Sequence, residues 1–215
     1  MIDPSPLETP LSFPDYFNMN EKTSIRELLE SRVHLGHKTG MWNPLMKHYL
    51  HGSRDGIHII DLDKTLEHLQ LALNVTGHIA YRSGIILFIN ERSQFERLIQ
   101  QTARDCGEYF VTQKWRGGTL TNSYMLLGTL RLPDLAIFLS VPPSKTAIKE
   151  VAMCNIPSIG IVDSDCNPSL ITYPIPGNDD TPSAMRLYCR LFCDVIKQAK
   201  AKRKEVEETA SKKDL

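Results

Sequence analysis

Short, wholly apolar runs alternate along this chain with amphipathic stretches of helical period. Ile85–Ile89 (IILFI), Leu135–Val141 (LAIFLSV) and Ser158–Val162 (SIGIV) are the runs, of the kind a sheet covered on both faces requires. Tyr109–Thr112 and Leu170–Tyr173 read as two further strands. Between the runs, Asp61 opens a helix with Leu62, Leu66, Leu69, Leu73 and Ala80 on one face. Ser93–Glu96 forms a capping-box pattern for a helix burying Phe95, Leu98, Ile99 and Cys106 and stopped by Gly107. Ser144 caps a helix bearing Ala147, Ile148 and Val151, and Thr181-Pro182 starts the last one, with Ala184, Tyr188, Leu191 and Val195 on a stripe. Strand and helix alternating in this way predict an α/β fold, a doubly wound parallel sheet with helices on both faces.

One stretch does not fit the alternation. Ser24 caps a short helix with Ile25, Leu28 and Leu29, and Ile57–Ile60 is a short strand, but between them Arg32–Arg54 holds no Asp or Glu. It carries four Lys or Arg, four of the seven histidines, Trp42, Pro44 and three glycines. Such breakers exclude one long helix. The stretch reads as an irregular arm with a polar face for something anionic. A second acid-free segment, Tyr109–Pro133, contains Lys114, Arg116 and Arg131. The expected organisation is an extended lead over 1–22, a helix, arm and short strand over 23–60, an α/β domain over 61–200 and a charged tail over 201–215. The Lys- and Glu-rich run from Lys197 to Lys213 is expected to fray into solvent.

With 215 residues, 41% hydrophobic and 23% charged, the chain suits one soluble domain with an appendage. Its apolar runs are far short of the roughly 18 residues that span a bilayer, so no membrane partner is expected. The 25 basic and 25 acidic residues cancel, which argues against a free-standing nucleic-acid binder. Five cysteines without a CxxC pair suggest a reducing compartment. The proline-rich, acidic start, MIDPSPLETPLSFPDYF, is neither a secretory signal nor an Arg-rich transit peptide.

Four chemistries compete. Nucleotide binding is disfavoured, because no GxGxxG or Walker loop brings backbone amides to a phosphate. Asp163-Ser164-Asp165 after a strand, with Asp179 and Asp180 before a helix, resembles the magnesium site of haloacid-dehalogenase-type phosphatases. Cys166 and the missing lysine break that pattern, and turn bonds and helix-end charges account for the same acids. His34-x2-His37 and His48-x2-His51 would be a zinc pattern, yet no cysteine or acid joins them. RNA binding remains. Lys114-Trp115-Arg116-Gly117-Gly118 offers charges for phosphates, a stacking ring and glycines for close backbone approach, although a buried tryptophan beside a glycine turn would look the same.

LLESRVHLGH, WNP, GIHIIDLDKT, ILFI, KWRGGTLTN, LPDLAIFL, AIKEVAMCNIPSIGIVD and PIPGNDD, in that order, closely resemble the S-two family of small-subunit ribosomal proteins. The likeness runs from Ile25 to about Lys197. It implies a five-stranded parallel sheet of flavodoxin-like type, no catalytic activity, no cofactor or metal, and a structural role on small-subunit ribosomal RNA. It carries RNA contacts onto His37, Lys38, Trp42, Asn43, Lys47 and Arg54 of the arm and onto Lys114, Arg116, Gly117, Gly118 and Asn122 of the turn; Trp115 joins them as a stacking ring. Bacterial members usually insert a coiled-coil hairpin where only ten residues separate Asn122 from Pro133 here, so its contacts do not transfer. That gap, with the wording DCGEYF and LYCRLF, resembles the animal mitochondrial branch. The expected partners are ribosomal RNA and neighbouring small-subunit proteins in the mitochondrial matrix, with no homo-oligomer, and a presequence is expected upstream of this numbering. The remaining alternative is a magnesium-dependent phosphatase using Asp163 and Asp165.

Overall fold

The computed structural model describes residues 16–18, 23–128 and 131–213. Most of the 1–22 lead lies outside the described residues, but Phe17 is fully buried in the core. Ser24 caps α1 (Ile25–Glu30), its Oγ accepting the Glu27 N–H at 3.3 Å. The chain turns through Arg32 into β1 (Leu35–Lys38), then a 3-10 turn at Pro44–Tyr49, β2 (Leu50–Arg54) and β3 (Ile57–Ile60). β3 lies between β1 and β2, antiparallel to both. The arm is therefore not irregular. Its backbone groups are paired in a small three-stranded sheet, which satisfies them without an apolar run.

From Asp61, whose side chain caps α2 (Leu62–Tyr81), the chain alternates. β4 (Ile86–Ile89), α3 (Glu96–Cys106), β5 (Tyr109–Val111) and α4 (Ser123–Leu127) come first. β6 (Leu135–Phe138), α5 (Lys145–Met153), β7 (Ser158–Val162), β8 (Tyr173–Pro176) and α6 (Pro182–Lys213) follow. The parallel strands stand in the order β5-β4-β6-β7-β8. That is the flavodoxin-like doubly wound order, with its switch point between β4 and β6.

Side chains alternate across the pleat and divide the core in two. Ile86, Phe88, Leu135, Ile137, Ile159 and Ile161 face the layer of α2, α3 and α6. Leu87, Ile89, Ala136, Phe138 and Val162 face α5, and the same cluster includes Met46 of the 3-10 turn with Trp115 and Leu120. Met46, Tyr49 and Leu50 of the arm and Trp115 and Leu120 of the turn thus lie on the same face of the sheet.

Several local expectations shift. The last strand is Tyr173–Pro176 rather than Leu170–Tyr173. It is an edge strand, and the Gly177 N–H donates to the Val162 carbonyl at 3.0 Å. By alternation Pro174 and Pro176 then fall on the outward positions, where no N–H is needed. Ser93 and Ser144 make no side-chain cap; Ser93 begins a 3-10 turn that precedes α3. Gly107 does end α3, at φ 67°. The charged C-terminal run does not fray within the described residues: α6 continues as helix past residue 200 to Lys213. No described helix is long and apolar enough to cross a membrane.

Candidate nucleic-acid interface

Two close approaches hold the small sheet against the large one. A Cβ on Gly36 would lie 2.8 Å from Ser164 Oγ and 3.2 Å from the His58 carbonyl, so only glycine lets β1 come this near the end of β7. The neighbouring His37 N–H donates to Ser164 Oγ at 2.7 Å, and the Asn43 N–H donates to the Ser164 carbonyl at 2.8 Å. Asn43 also caps the 3-10 turn, its Oδ1 accepting the Leu45 N–H at 3.0 Å.

The carboxyl ends of the strands, where a doubly wound sheet holds its ligand, are bridged by the protein's own side chains, beside an open hollow of about 420 Å³ lined by His37, Asp163 and Asp180. Asp163 and Asp179 are buried there. Arg92 Nη2 donates to both Asp179 oxygens, at 3.1 and 3.2 Å, and its Nε donates to Ser140 Oγ at 2.8 Å. Ser140 Oγ in turn donates to Asp179 Oδ2 at 2.7 Å, and Arg92 Nη1 pairs with Asp180. His37 enters from the arm, with Nδ1 3.1 Å from Asp163 Oδ1 and Nε2 3.3 Å from Asp180 Oδ2. The Asp163 carboxylate, and to a lesser degree the other acids, hold the His37 imidazole up to about 9. Burial pushes the Asp179 carboxyl up to about 7 against the pull of Arg92.

This bridging bears on three expectations. His37 is engaged with carboxylates and not presented to phosphate. The phosphatase reading needs free carboxylates, whereas Asp163 takes the Ser164 amide at 2.5 Å and the His37 ring, and Asp165 takes the Cys166 thiol at 3.0 Å. Among the described residues the one trio with metal-ligand spacing is His37, Asp163 and Asp180, with ligand atoms all within 4.8 Å. The other histidines of the zinc pattern do not join it. His34 is held below its ordinary value by burial.

The turn after β5 is organised from inside. The Gly118 N–H donates to Glu150 Oε1 at 2.6 Å and the Leu120 N–H to Glu150 Oε2 at 3.2 Å. Glu150 is only 5% exposed. A carboxylate from α5 therefore fills the place where the glycine turn would take a phosphate, and Gly118, at φ 89°, is needed for the turn's shape. Trp115 is 6% exposed and packs in the core with Leu120, Ile148 and Val151. Its ring face is not open to a base, which corrects the stacking role expected for it. Asn122 accepts the Leu126 N–H at 3.2 Å through its carbonyl and leaves its side chain exposed.

What remains on the surface is cationic. Lys38, Lys47, Arg54, Lys114 and Arg116 are exposed. The Arg54 guanidinium is 86% exposed, and its nearest acid, Asp55 at 3.9 Å, is 92% exposed, a pairing worth little in water. Trp42 is partly exposed, its ring tilted against His58 with centroids 5.3 Å apart. Sequence reasoning missed Glu150, Arg92, Ser140 and Ser164, whose roles depend on residues far away in the chain.

The family model described as "Ribosomal protein S2" matches residues 28–131 and 126–199. The chain is 51% identical over 206 residues to the small ribosomal subunit protein uS2m of Bos taurus, covering 94% of this chain and 70% of the relative. It is 33% identical over 220 residues to the small ribosomal subunit protein uS2 of Rickettsia akari, covering 81% and 75%. The corresponding protein of Rickettsia canadensis is 33% identical over 223 residues, covering 83% and 76%. The order of strands, the eight sequence motifs and these matches agree, and the chain belongs to the ribosomal protein S2 family.

Proposed function

We propose that this chain is a structural constituent of the small subunit of the mitochondrial ribosome, and that it lies on small-subunit ribosomal RNA through one face. The observation that carries the reading is the placement of residues from both acid-free segments on one face of the sheet. Lys38, Lys47 and Arg54 from the arm and Lys114 and Arg116 from the turn neutralise phosphates, and Trp42 offers the open ring. Phosphate contacts of this kind set register without reading sequence, which suits a protein that meets one fixed RNA. The hydrogen-bonded and ion-paired side chains at the strand ends supply rigidity. As a ribosomal family member the chain is a structural component rather than an enzyme. Its neighbours include other small-subunit proteins, which take over surface that a chain of zero net charge does not give to RNA. His37, Asn43, Trp115 and Gly118 act here by holding the arm and the turn in shape, while Gly117 and Asn122, both exposed, stay with the RNA contacts.

Sucrose-gradient sedimentation of a mitochondrial extract tests the reading. The protein is expected in the small-subunit peak. Migration as a free species, with none in that peak, would overturn it.

A further inference from the structure

Two asparagines far apart in the chain do the same local work and line the same hollow. Asn43 precedes Pro44 and caps the 3-10 turn of the arm; Asn167 precedes Pro168 and caps a second 3-10 turn, Pro168–Leu170, after β7. In each, the side-chain oxygen accepts the N–H two residues on, that of Leu45 at 3.0 Å and that of Ser169 at 2.9 Å. A carboxamide whose oxygen is engaged in this way still has two N–H donors on its nitrogen. Asn43 and Asn167 both line a hollow of about 330 Å³, within the roughly 300–1,000 Å³ of ligand pockets. Among the described residues nothing accepts from either NH2 group.

The rest of the lining is apolar on one side and charged on the other. Val141 and Pro142, which follow β6, and Leu170, 40% exposed, supply a surface for a flat ring. Lys145, the first residue of α5, is exposed and makes no ion pair among the described residues. That first turn holds no acid, and Ser144 gives it no side-chain cap, so its N–H groups favour an anion beside Lys145. Asp165 supplies the hollow's one carboxylate, with one oxygen accepting the Cys166 thiol at 3.0 Å.

Position and hydrogen-bonding pattern narrow the occupant. Val141 and Cys166 belong to the core cluster that holds Met46 of the arm and Trp115 of the turn, and Asn43 is the chain neighbour of Trp42, so the hollow is continuous with the proposed RNA face. A lysine alone would suit any phosphate. Two amide donors with one carboxylate suit the edge of a base that carries an amino group between or beside ring acceptors. Such a base donates from its amine to Asp165 and accepts from Asn43 and Asn167, through N3 and O2 of cytosine or N1 and N7 of adenine. Uracil has no amine to offer. Protein recognition of this kind targets unpaired nucleotides, whose edges are free.

We propose that the hollow receives one unpaired nucleotide of the small-subunit ribosomal RNA, its adenine or cytosine base against Val141, Pro142 and Leu170 and its phosphate at Lys145. The proposal rests on the RNA reading of this face. It adds a contact that reads a base, where the lysines and arginines of the arm and the turn meet only phosphate.

The test uses the full chain assembled into small subunits in cells. Benzoylphenylalanine replaces Leu170 and, separately, Lys47; irradiation of gradient-purified subunits, followed by primer extension and mass spectrometry, locates the crosslinks. Dimethyl sulfate, which methylates N1 of adenine and N3 of cytosine when these are free, probes the same subunits. The expected result is a Leu170 crosslink at or beside an adenine or cytosine that the parent chain shields from the reagent. Asn167→Asp keeps an oxygen for the turn and removes the NH2 donor, and should raise methylation of that base about tenfold. Asp165→Asn, which replaces the acceptor by a donor, should expose the same base. A Leu170 crosslink to protein, to RNA without such a base, or to nothing while Lys47 still crosslinks to rRNA would overturn the base site alone, as would unchanged methylation in both variants. A chain absent from the small-subunit peak, or without an rRNA crosslink from either position, would overturn the RNA reading and this proposal with it.

Discussion

Glu150 accepts the Gly118 N–H at 2.6 Å, so a carboxylate on α5 shapes the basic turn from beneath. Its second oxygen takes the Leu120 N–H at 3.2 Å. Removing a buried charged acceptor leaves both amides unpaired, and Glu150→Ala should cost about 3 kcal/mol. Glu150→Gln retains one acceptor oxygen and should cost roughly half as much. Urea unfolding measures the loss, and amide exchange should accelerate first at Gly118 and Leu120. Equal exchange rates at these amides in Glu150→Ala and the parent chain would refute the anchoring role.

The two tryptophans separate stability from binding. Trp115 is 6% exposed in the core cluster, and Trp115→Ala should destabilise the chain by about 3–5 kcal/mol. Trp42 is partly exposed beside His58. Its loss should leave the unfolding midpoint nearly in place and weaken RNA binding by about 1–3 kcal/mol. Parallel denaturation and filter-binding measurements decide it; the opposite assignment of effects would return Trp115 to the surface role that its basic neighbours first suggested.

How much of this was legible depends on where the determining partner lies. β4, β6 and β7 announce themselves because burial on both faces makes each an unbroken apolar run. β8 hides, since Pro174 and Pro176 look like breakers until the strand is known to lie at an edge. The arm's sheet hides for another reason: β2 is exposed at nearly every position, so it has no alternation to read. Trp115 and the glycine turn carry the composition of an RNA platform, and only α5, some thirty residues on, reveals that Glu150 and Ile148 have claimed them. Acid-free sequence likewise did not mean acid-free surroundings, because His37 meets Asp163 and Asp180 in space.

The His37 contact predicts a pH dependence with a definite sign. Its imidazole is raised from 6.5 to about 9 by the Asp163 carboxylate and the acids around it. A folded-state value above the unfolded one means that the native state holds the extra proton. The stabilisation is complete below about pH 6.5 and is lost as pH rises through 9. Asp179, pushed up to about 7, is half-ionised at that pH and adds only about 0.4 kcal/mol over the interval from 7 to 9, so His37 dominates there. Stability should fall there by about 2 kcal/mol. His37→Gln should be less stable at neutral pH and flat over the same interval. Urea denaturation across that range checks both, and a parent chain as flat as the variant would rule out the charged pair.

The proposed RNA face makes a prediction about salt. Each phosphate neutralised by a lysine or arginine releases counterions, so the slope of log affinity against log salt counts the contacts. Lys38→Ala, Lys47→Ala and Arg54→Ala should each reduce the magnitude of that slope by about 0.7–0.9, and the triple substitution by about three times as much. Lys114→Ala and Arg116→Ala should do the same from the turn. Arg26→Ala is the control: its side chain is 88% exposed but lies on α1, paired with Glu30 at 3.0 Å, and should leave the slope unchanged. Binding of the full chain to small-subunit ribosomal RNA over a series of potassium concentrations supplies the slopes. If the arm and turn variants behaved like Arg26→Ala, the cations that cover this face of the sheet would have to be assigned to protein neighbours instead of phosphate.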